Sequence, residues 1–88
     1  MDTPTRRMMR LLIEAARKGQ PWLSRSVVMP KIGEGAYDLL ERAITGGWVE
    51  EEMQRGPTGY PRKMLRATVP GSEAFHAATH PADEQGAA

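Results

Sequence analysis

Apolar positions near the start of the chain repeat with the period of an α-helix. Between residues 3 and 18 they recur at three- and four-residue spacing, and the helix-stopping residues Gly19 and Pro21 follow. Thr3 is the predicted N-cap, with Pro4 at the first helical position. The apolar arc covers about 200° of the helix surface, which is wider than an ordinary core stripe. The arc predicts either deep burial in one domain or a surface shared with a second subunit.

Two further helices are expected before residue 47. In QPWLSRSVVMP, the stretch PWLS can hold a short strand or turn. Ser24 or Ser26 can then cap a short helix through SVVM, which Pro30 would end or bend. AYDLLERAIT has apolar residues at helical spacing and predicts a third helix. We expect Gly46 and Gly47 to end it, one of them in the left-handed conformation.

The pattern then changes to the two-residue alternation of β-strands. WVEEEMQ predicts a strand, RGPTGYP the loop of a hairpin, and RKMLRATV the return strand. Val49, Glu51 and Met53 are expected on one face of the first strand, and Leu65, Ala67 and Val69 on one face of the second.

The chain after the hairpin predicts one more helix and then loses its periodicity. Pro70 and Gly71 should break the strand, and Ser72 should cap a short helix. Its inward side chains are expected to be Ala74, Phe75 and Ala78. Residues 80–88 predict a disordered acidic tail.

This order of elements predicts an α+β fold that is mostly α. A hairpin is unstable unless helices cover its apolar face. The compact solution is a winged helix-turn-helix: three helices, a two-stranded wing and a short C-terminal helix, in a single domain over residues 1–79. The aromatic residues Trp22, Trp48 and Phe75 are expected in its core.

Composition excludes several classes of protein. The chain has 88 residues and no cysteine, so disulfides and cysteine-based zinc sites are ruled out. No apolar run is long enough for a membrane span, and the first ten residues lack the apolar region of a signal peptide, which makes the cytoplasm the expected location. All 12 Lys and Arg lie in residues 1–66 beside eight acids, a balance of +4, whereas residues 67–88 hold three acids and no base.

Three segments resemble the PadR-like winged helix-turn-helix transcriptional regulators, over about residues 7–75. AYDLLERA followed by GGWVEEE is similar to that family's third helix and the strand after it. GYPRKMLRAT is similar to the wing and return strand, and PGSEAF to the start of the next helix. The chain departs from the family at Gly35 and Asp38, in its second helix, and in lacking the extended C-terminal helical region of longer relatives.

The resemblance implies a sequence-specific, double-stranded-DNA-binding regulator, acting as a repressor when it occupies an operator. The third helix would enter the major groove, and the basic wing would contact the backbone or minor groove. Two copies would bind a palindrome with half-sites roughly 10 bp apart. The expected DNA contacts are Arg25, Lys31, Gly35, Tyr37, Arg42, Arg55, Tyr60, Arg62 and Lys63. The expected dimer interface contains Met8, Met9 and Leu12.

Other interpretations compete with these expectations. Lys63 and Arg66 could simply pair with Glu50 to Glu52 across the hairpin. Arg25 could belong to a solvent-facing turn. The acidic third helix could instead meet a basic protein, which makes an interaction module the second candidate.

The sequence offers little support for catalysis, cofactors or small ligands. His76 and His80 have a spacing that can hold a metal, but no third ligand is evident. No catalytic residues, cofactor or metal are therefore predicted. No pocket signature supports a small-molecule effector.

Overall fold

The computed structural model describes residues 1–80, which form an α+β fold with about 55% helix. Four helices and three strands follow one another along the chain. Their bounds are α1 Thr3–Arg17, β1 Leu23–Ser24, α2 Arg25–Ile32, α3 Ala36–Thr45, β2 Val49–Arg55, β3 Pro61–Ala67 and α4 Val69–Thr79. The strands form one antiparallel sheet in the order β1-β3-β2. The sheet therefore has one strand more than the predicted two-stranded wing.

The N-cap of helix α1 lies one residue before the predicted one. Asp2, not Thr3, is the N-cap, and its carboxylate accepts a hydrogen bond of 2.9 Å from the Thr5 backbone N–H. Hydrogen bonding by the side chain of Thr5 and by its backbone N–H lowers the pKa of the Asp2 carboxyl below its ordinary value of 3.8, with a smaller contribution from the charge of Arg42. The sequence does not distinguish Asp2 from Thr3 as the cap, because Asp and Thr are both favoured at helix N-caps.

A three-residue turn joins α2 to α3. Gly33 and Gly35 have φ angles of +92° and +79°, a region that L side chains rarely adopt. The carbonyl of Gly33 accepts from the Ala36 N–H at 3.2 Å, so the chain reverses within this turn. Pro30 lies inside α2, and the helix continues past it to Ile32. Gly47, with φ of +80°, is the expected left-handed residue after α3.

The register of the sheet is set around Leu65. Leu65 is fully buried and lies opposite Leu23 of β1 and Glu51 of β2. Because side chains alternate along a strand, Lys63 shares the inner face with Leu65, whereas Arg66 lies on the outer face. Val69 does not continue the strand as predicted: it is the first residue of α4 and is exposed.

The core contains aliphatic and methionine side chains from α1, α2, α3 and the sheet. Its most deeply buried members are Met8, Met9, Leu12, Val28, Leu40 and Leu65. The expectation that Met8, Met9 and Leu12 form a dimer interface is wrong, since they are at most 1% exposed within their own domain. Elsewhere on the wide apolar arc of α1, Leu11, Ile13 and Ala15 are half-buried and Ala16 is exposed.

The aromatic residues lie around the core instead of inside it. Trp48 and Phe75 are half-buried and pack against its edge. Trp22 is half-buried under Arg66, whose guanidinium carbon lies 4.6 Å from the Trp22 ring centroid. Arg66 is an outer-face residue, so Trp22 packs on that face of the sheet. The prediction of an aromatic core is therefore wrong for Trp22.

Helix α4 is held against the turn between α3 and β2. Its N-cap is Thr68 and not the predicted Ser72: the Thr68 hydroxyl accepts from the Gly71 N–H at 3.0 Å and donates to the Gly47 carbonyl at 2.6 Å. Gly71 is buried, and a Cβ there would lie 2.2 Å from the Trp48 carbonyl oxygen. Pro70 is tolerated because it occupies the first turn of a helix.

None of the helices in residues 1–80 combines the length and the apolar character that crossing a membrane requires. The predicted disordered tail falls almost entirely outside the described residues; His80, its first residue, is the C-cap of α4.

Substitution of Gly71 by Ala should destabilise the fold strongly. The added methyl group would collide with backbone atoms of Trp48, which cannot rotate away as a side chain can. We expect the free energy of unfolding to fall by about 2–3 kcal/mol, in the range of overpacked cores, as measured by urea denaturation. Gly56→Ala is the matched control, because a Cβ there meets its nearest neighbour at an ordinary 3.7 Å. An equal loss of stability in the two variants would contradict the close packing of Gly71 against the Trp48 backbone.

Replacing Asp2 by Ala should lower the melting temperature in a pH-dependent manner. A carboxyl whose pKa is lowered in the folded state stabilises the fold at pH values above its ordinary pKa of 3.8. That contribution is lost as the pH falls through the lowered pKa. The unaltered protein should therefore melt above Asp2→Ala at pH 7, and the difference should vanish in acid. A difference that stays constant from pH 7 to pH 2 would rule out this origin.

Candidate nucleic-acid interface

The β2–β3 hairpin projects beyond the core. Along the inner face of β2, Val49 is buried, the Glu51 side chain is about one quarter exposed, and Met53 is 56% exposed. Beyond Val49, most residues of β2 are exposed. Nothing in residues 1–80 covers the distal part, so its side chains are accessible to a large ligand.

A shallow open groove lies where this hairpin meets the starts of α2 and α3. Its lining combines hydroxyl, aromatic and cationic side chains: Ser24, Arg25, Ser26, Tyr37, Arg62 and Lys63. Four of these residues were predicted to contact DNA, although they are spread over 39 positions from Arg25 to Lys63. The fold brings them together because β1, β2 and β3 form one sheet beside the α2–α3 turn. We call this surface the cationic groove.

The cations on β3 differ in their availability. Within residues 1–80 the ion pairs are Arg25 with Glu51 and Arg66 with Glu50. Arg62 and Lys63 therefore have no carboxylate partner in the described part of the chain. Lys63 lies opposite Met53, and Arg62 opposite Gln54.

Arg66 forms an ion pair across the hairpin, which the sequence analysis gave as the alternative to DNA contact. Two of its guanidinium nitrogens donate to the Glu50 carboxylate, and the guanidinium lies over Trp22. Lys63 was given the same alternative, but no such pair forms among the described residues. The difference follows from strand alternation, which places Glu50 opposite Arg66 on the outer face.

Arg25 is the first residue of α2 and is held on two sides. Its Nη1 lies 3.5 Å from an oxygen of Glu51, and its guanidinium carbon lies 4.8 Å from the ring centroid of Tyr37. Both ion-pair side chains are about one quarter exposed. Arg25 therefore does not simply occupy a solvent-facing turn, because it links α2, α3 and β2.

The hairpin tip carries Arg55 and Tyr60. Arg55 lies opposite Pro61 at the last pair of the ladder, and the Gly56 N–H donates to the Tyr60 carbonyl at 3.1 Å. Tyr60 is 73% exposed, which is the highest value among the large apolar side chains of residues 1–80. Both predicted tip residues are thus accessible, but they lie beyond the cationic groove.

Three other predicted contacts do not line the groove. Lys31 is exposed near the end of α2. Arg42, in the second half of α3, lines a separate cavity with Asp2 and Trp48. The backbone conformation explains why a glycine stands at position 35: its φ angle is +79°, and a Cβ there would meet nothing within 4 Å, so close approach of another group is not the reason.

Sequence reasoning missed several residues at the groove. Glu51 was assigned only as a possible partner of the wing cations, whereas it pairs with Arg25. The hydroxyls of Ser24 and Ser26, 2.7 Å apart, line the groove and were considered only as helix caps. Their position on either side of Arg25 was the only sequence feature that could have pointed to a binding role for these serines.

The exposed surface of α3 is acidic near the groove. Tyr37, Asp38 and Glu41 are all exposed, and Arg42 is the one basic residue on this helix. Asp38 in the first turn favours the helix through its dipole. A nucleic acid lying along α3 would nevertheless meet these carboxylates.

No metal site is found among the described residues. Residues 1–80 contain no group of three or more His, Asp or Glu side chains that could hold a metal ion. The rings of His76 and His80 lie 4.6 Å apart near the end of α4. The two histidines are remote in the chain from the groove-lining residues.

Comparisons of the chain with family models, with curated proteins and with solved structures found no match.

Proposed function

We propose that this protein is a winged-helix DNA-binding protein that regulates transcription by occupying an operator. The observation that carries the proposal is the cationic groove, in which Arg62 and Lys63 lack carboxylate partners within residues 1–80. Cations in that position can displace the counterions of a duplex and bind its phosphates. The resemblance of the third helix and hairpin to PadR-like regulators supports the same function.

The order of elements supports this proposal. Helices α2 and α3 are joined by a short turn containing Gly33 and Gly35, as in helix-turn-helix motifs. A projecting hairpin follows α3 directly and lies beside its first turn. In this arrangement α3 enters the major groove by its N-terminal residues, and the hairpin follows the adjacent backbone.

The proposed roles of the side chains differ. Lys63, Arg62 and Arg25 contact phosphates and fix the position of the protein on the duplex, and Arg55 extends this contact at the tip. Tyr37, on the first turn of α3, is the exposed side chain best placed to reach base edges. Phosphate contacts position the protein, whereas base contacts supply sequence preference.

Two copies on a palindromic site are part of the proposal. A single groove offers few cations, and the exposed carboxylates of α3 reduce its attraction for phosphate. A second subunit would double the number of contacts, with half-sites roughly 10 bp apart. The subunit contact must involve residues other than the buried Met8, Met9 and Leu12.

The direct test retains sheared genomic DNA on the purified protein at two salt concentrations and sequences what is bound. The proposal predicts enrichment of a few palindromic sites, with retention lost at the higher salt concentration. Failure to retain any DNA at low salt would refute it.

The double substitution Arg62→Ala with Lys63→Ala should weaken DNA binding and its salt dependence. Loss of two phosphate contacts should reduce the slope of log K against log salt by roughly 1.8, at about 0.9 for each contact. Fluorescence anisotropy with a labelled duplex over a salt series measures this slope.

Arg17→Ala with Lys18→Ala is the matched control for that experiment. It removes the same two charges from exposed positions at the end of α1 and in its C-cap. We expect the control to change the slope little. Equal slopes for the two double variants would show that total charge, and not the cationic groove, drives binding.

An interaction module for a basic protein partner is the second candidate function. The observation in its favour is the exposed acidic pair Asp38 and Glu41, while Arg42 lines a cavity with Asp2 at the start of α1. In this alternative α3 is still the recognition element, but its ligand carries positive charge.

The substitutions Asp38→Asn and Glu41→Gln separate the two functions. They keep the side-chain shapes and remove two charges that repel phosphate, so we expect DNA affinity to rise a few-fold. The same variant should lose a basic partner. Anisotropy of a labelled duplex and of a lysine-rich peptide measures both ligands. Unchanged DNA binding together with lost peptide binding would support the interaction module.

A further inference from the structure

The Arg25 guanidinium is the most constrained cation of the groove. The Tyr37 ring lies against it at 4.8 Å, and Glu51 contacts one of its terminal nitrogens at 3.5 Å. The guanidinium has five N–H donors in one plane. A contact at Nη1 alone leaves donors on the other two nitrogens for a further ligand. Arg62 and Lys63 have no comparable support among the described residues.

Three separate elements create this constraint. Arg25 begins α2, Tyr37 lies in the first turn of α3, and Glu51 lies on the inner face of β2 opposite Leu65. Glu51 is therefore placed by the register of the sheet and not by a flexible loop. Its neighbours Glu50 and Glu52 lie on the outer face, away from Arg25.

We infer that Glu51 is a positioning residue of the DNA interface, because it and Tyr37 hold Arg25 in the orientation that receives a phosphate. This inference rests on the proposed function. A side chain that is already ordered loses less entropy on binding, and such an arginine can engage a phosphate with two donors. The carboxylate also repels the phosphate, but water and salt screen that repulsion at an open surface.

The inference makes a prediction opposite to that of simple electrostatics. Glu51→Ala should weaken binding of a labelled duplex even though it removes a negative charge from the interface. The expected loss is about threefold to tenfold, which corresponds to the entropy cost of ordering one side chain on binding. Glu51→Gln should retain most of the affinity, because its amide oxygen still accepts a hydrogen bond from Arg25.

Glu52→Ala is the matched control. Glu52 is exposed and forms no ion pair within residues 1–80, so its removal should leave binding unchanged or tighten it slightly. In the Arg25→Ala background, Glu51→Ala should no longer weaken binding. Thermal melting of each variant establishes that the fold is retained.

A measurement without DNA tests the same arrangement. The ¹⁵N relaxation of arginine side chains reports how rigid each Nε–H bond is. We expect a higher order parameter for Arg25 than for Arg62 in the unaltered protein, and a fall for Arg25 in Glu51→Ala. Equal mobility of Arg25 and Arg62 would overturn the positioning role even where DNA binding is intact.

The outcomes distinguish this inference from the proposed function. Tightening of binding by Glu51→Ala to the extent seen with Glu52→Ala would show that Glu51 only repels DNA, and the inference would fail alone. Absence of duplex binding by the unaltered protein, with an ordered Arg25, would instead refute the proposed function and the role in DNA binding that rests on it.

Discussion

The burial of Leu65 is the constraint on which the site depends. Leu65 is fully enclosed and lies in the central strand, opposite Leu23 on one side and Glu51 on the other. A one-residue slip of β3 would move Leu65 to the outer face and expose it to water. The core therefore determines which residues of the hairpin face the α2–α3 turn.

That register separates the structural cations from the available ones. It places Arg66 beside Glu50 and Trp22 on the outer face, where its charge is neutralised. Three positions earlier, Lys63 lies on the inner face without an acidic partner in residues 1–80. Sheet alternation thus places Arg66 and Lys63, two basic residues of similar sequence context, on opposite faces with different neighbours.

Much of the secondary structure could be predicted from local sequence patterns. The helical spacing of α1 and α3, the left-handed glycine after α3 and the alternation of the hairpin are all local signals. The sequence left PWLS open as a short strand or a turn. The pairing of β1 with β3 could not be predicted, because two residues carry no periodicity and Leu23 and Ser24 pair with the distant Leu65 and Met64. The N-cap of α4 was misplaced because the tertiary bond from Thr68 to Gly47 is invisible in a local pattern.

The candidate site was predicted in part for the same reason. Basic and aromatic residues could be identified by type, but their grouping depends on contacts between distant segments. Arg25 and Lys63 meet at one groove, whereas Arg42 points to another cavity. The apolar arc of α1 could not distinguish burial from dimerisation, since Met8 and Met9 have the same apolar character in either environment.

The most direct test of the central claim is an NMR titration of the isotope-labelled protein with a short duplex at low salt. Non-specific binding suffices, because phosphate contacts do not depend on sequence. The account predicts that the largest chemical-shift changes will occur at the groove residues Ser24, Arg25, Ser26, Tyr37, Arg62 and Lys63. Changes confined to the arginines of α1, or no changes at all, would contradict it.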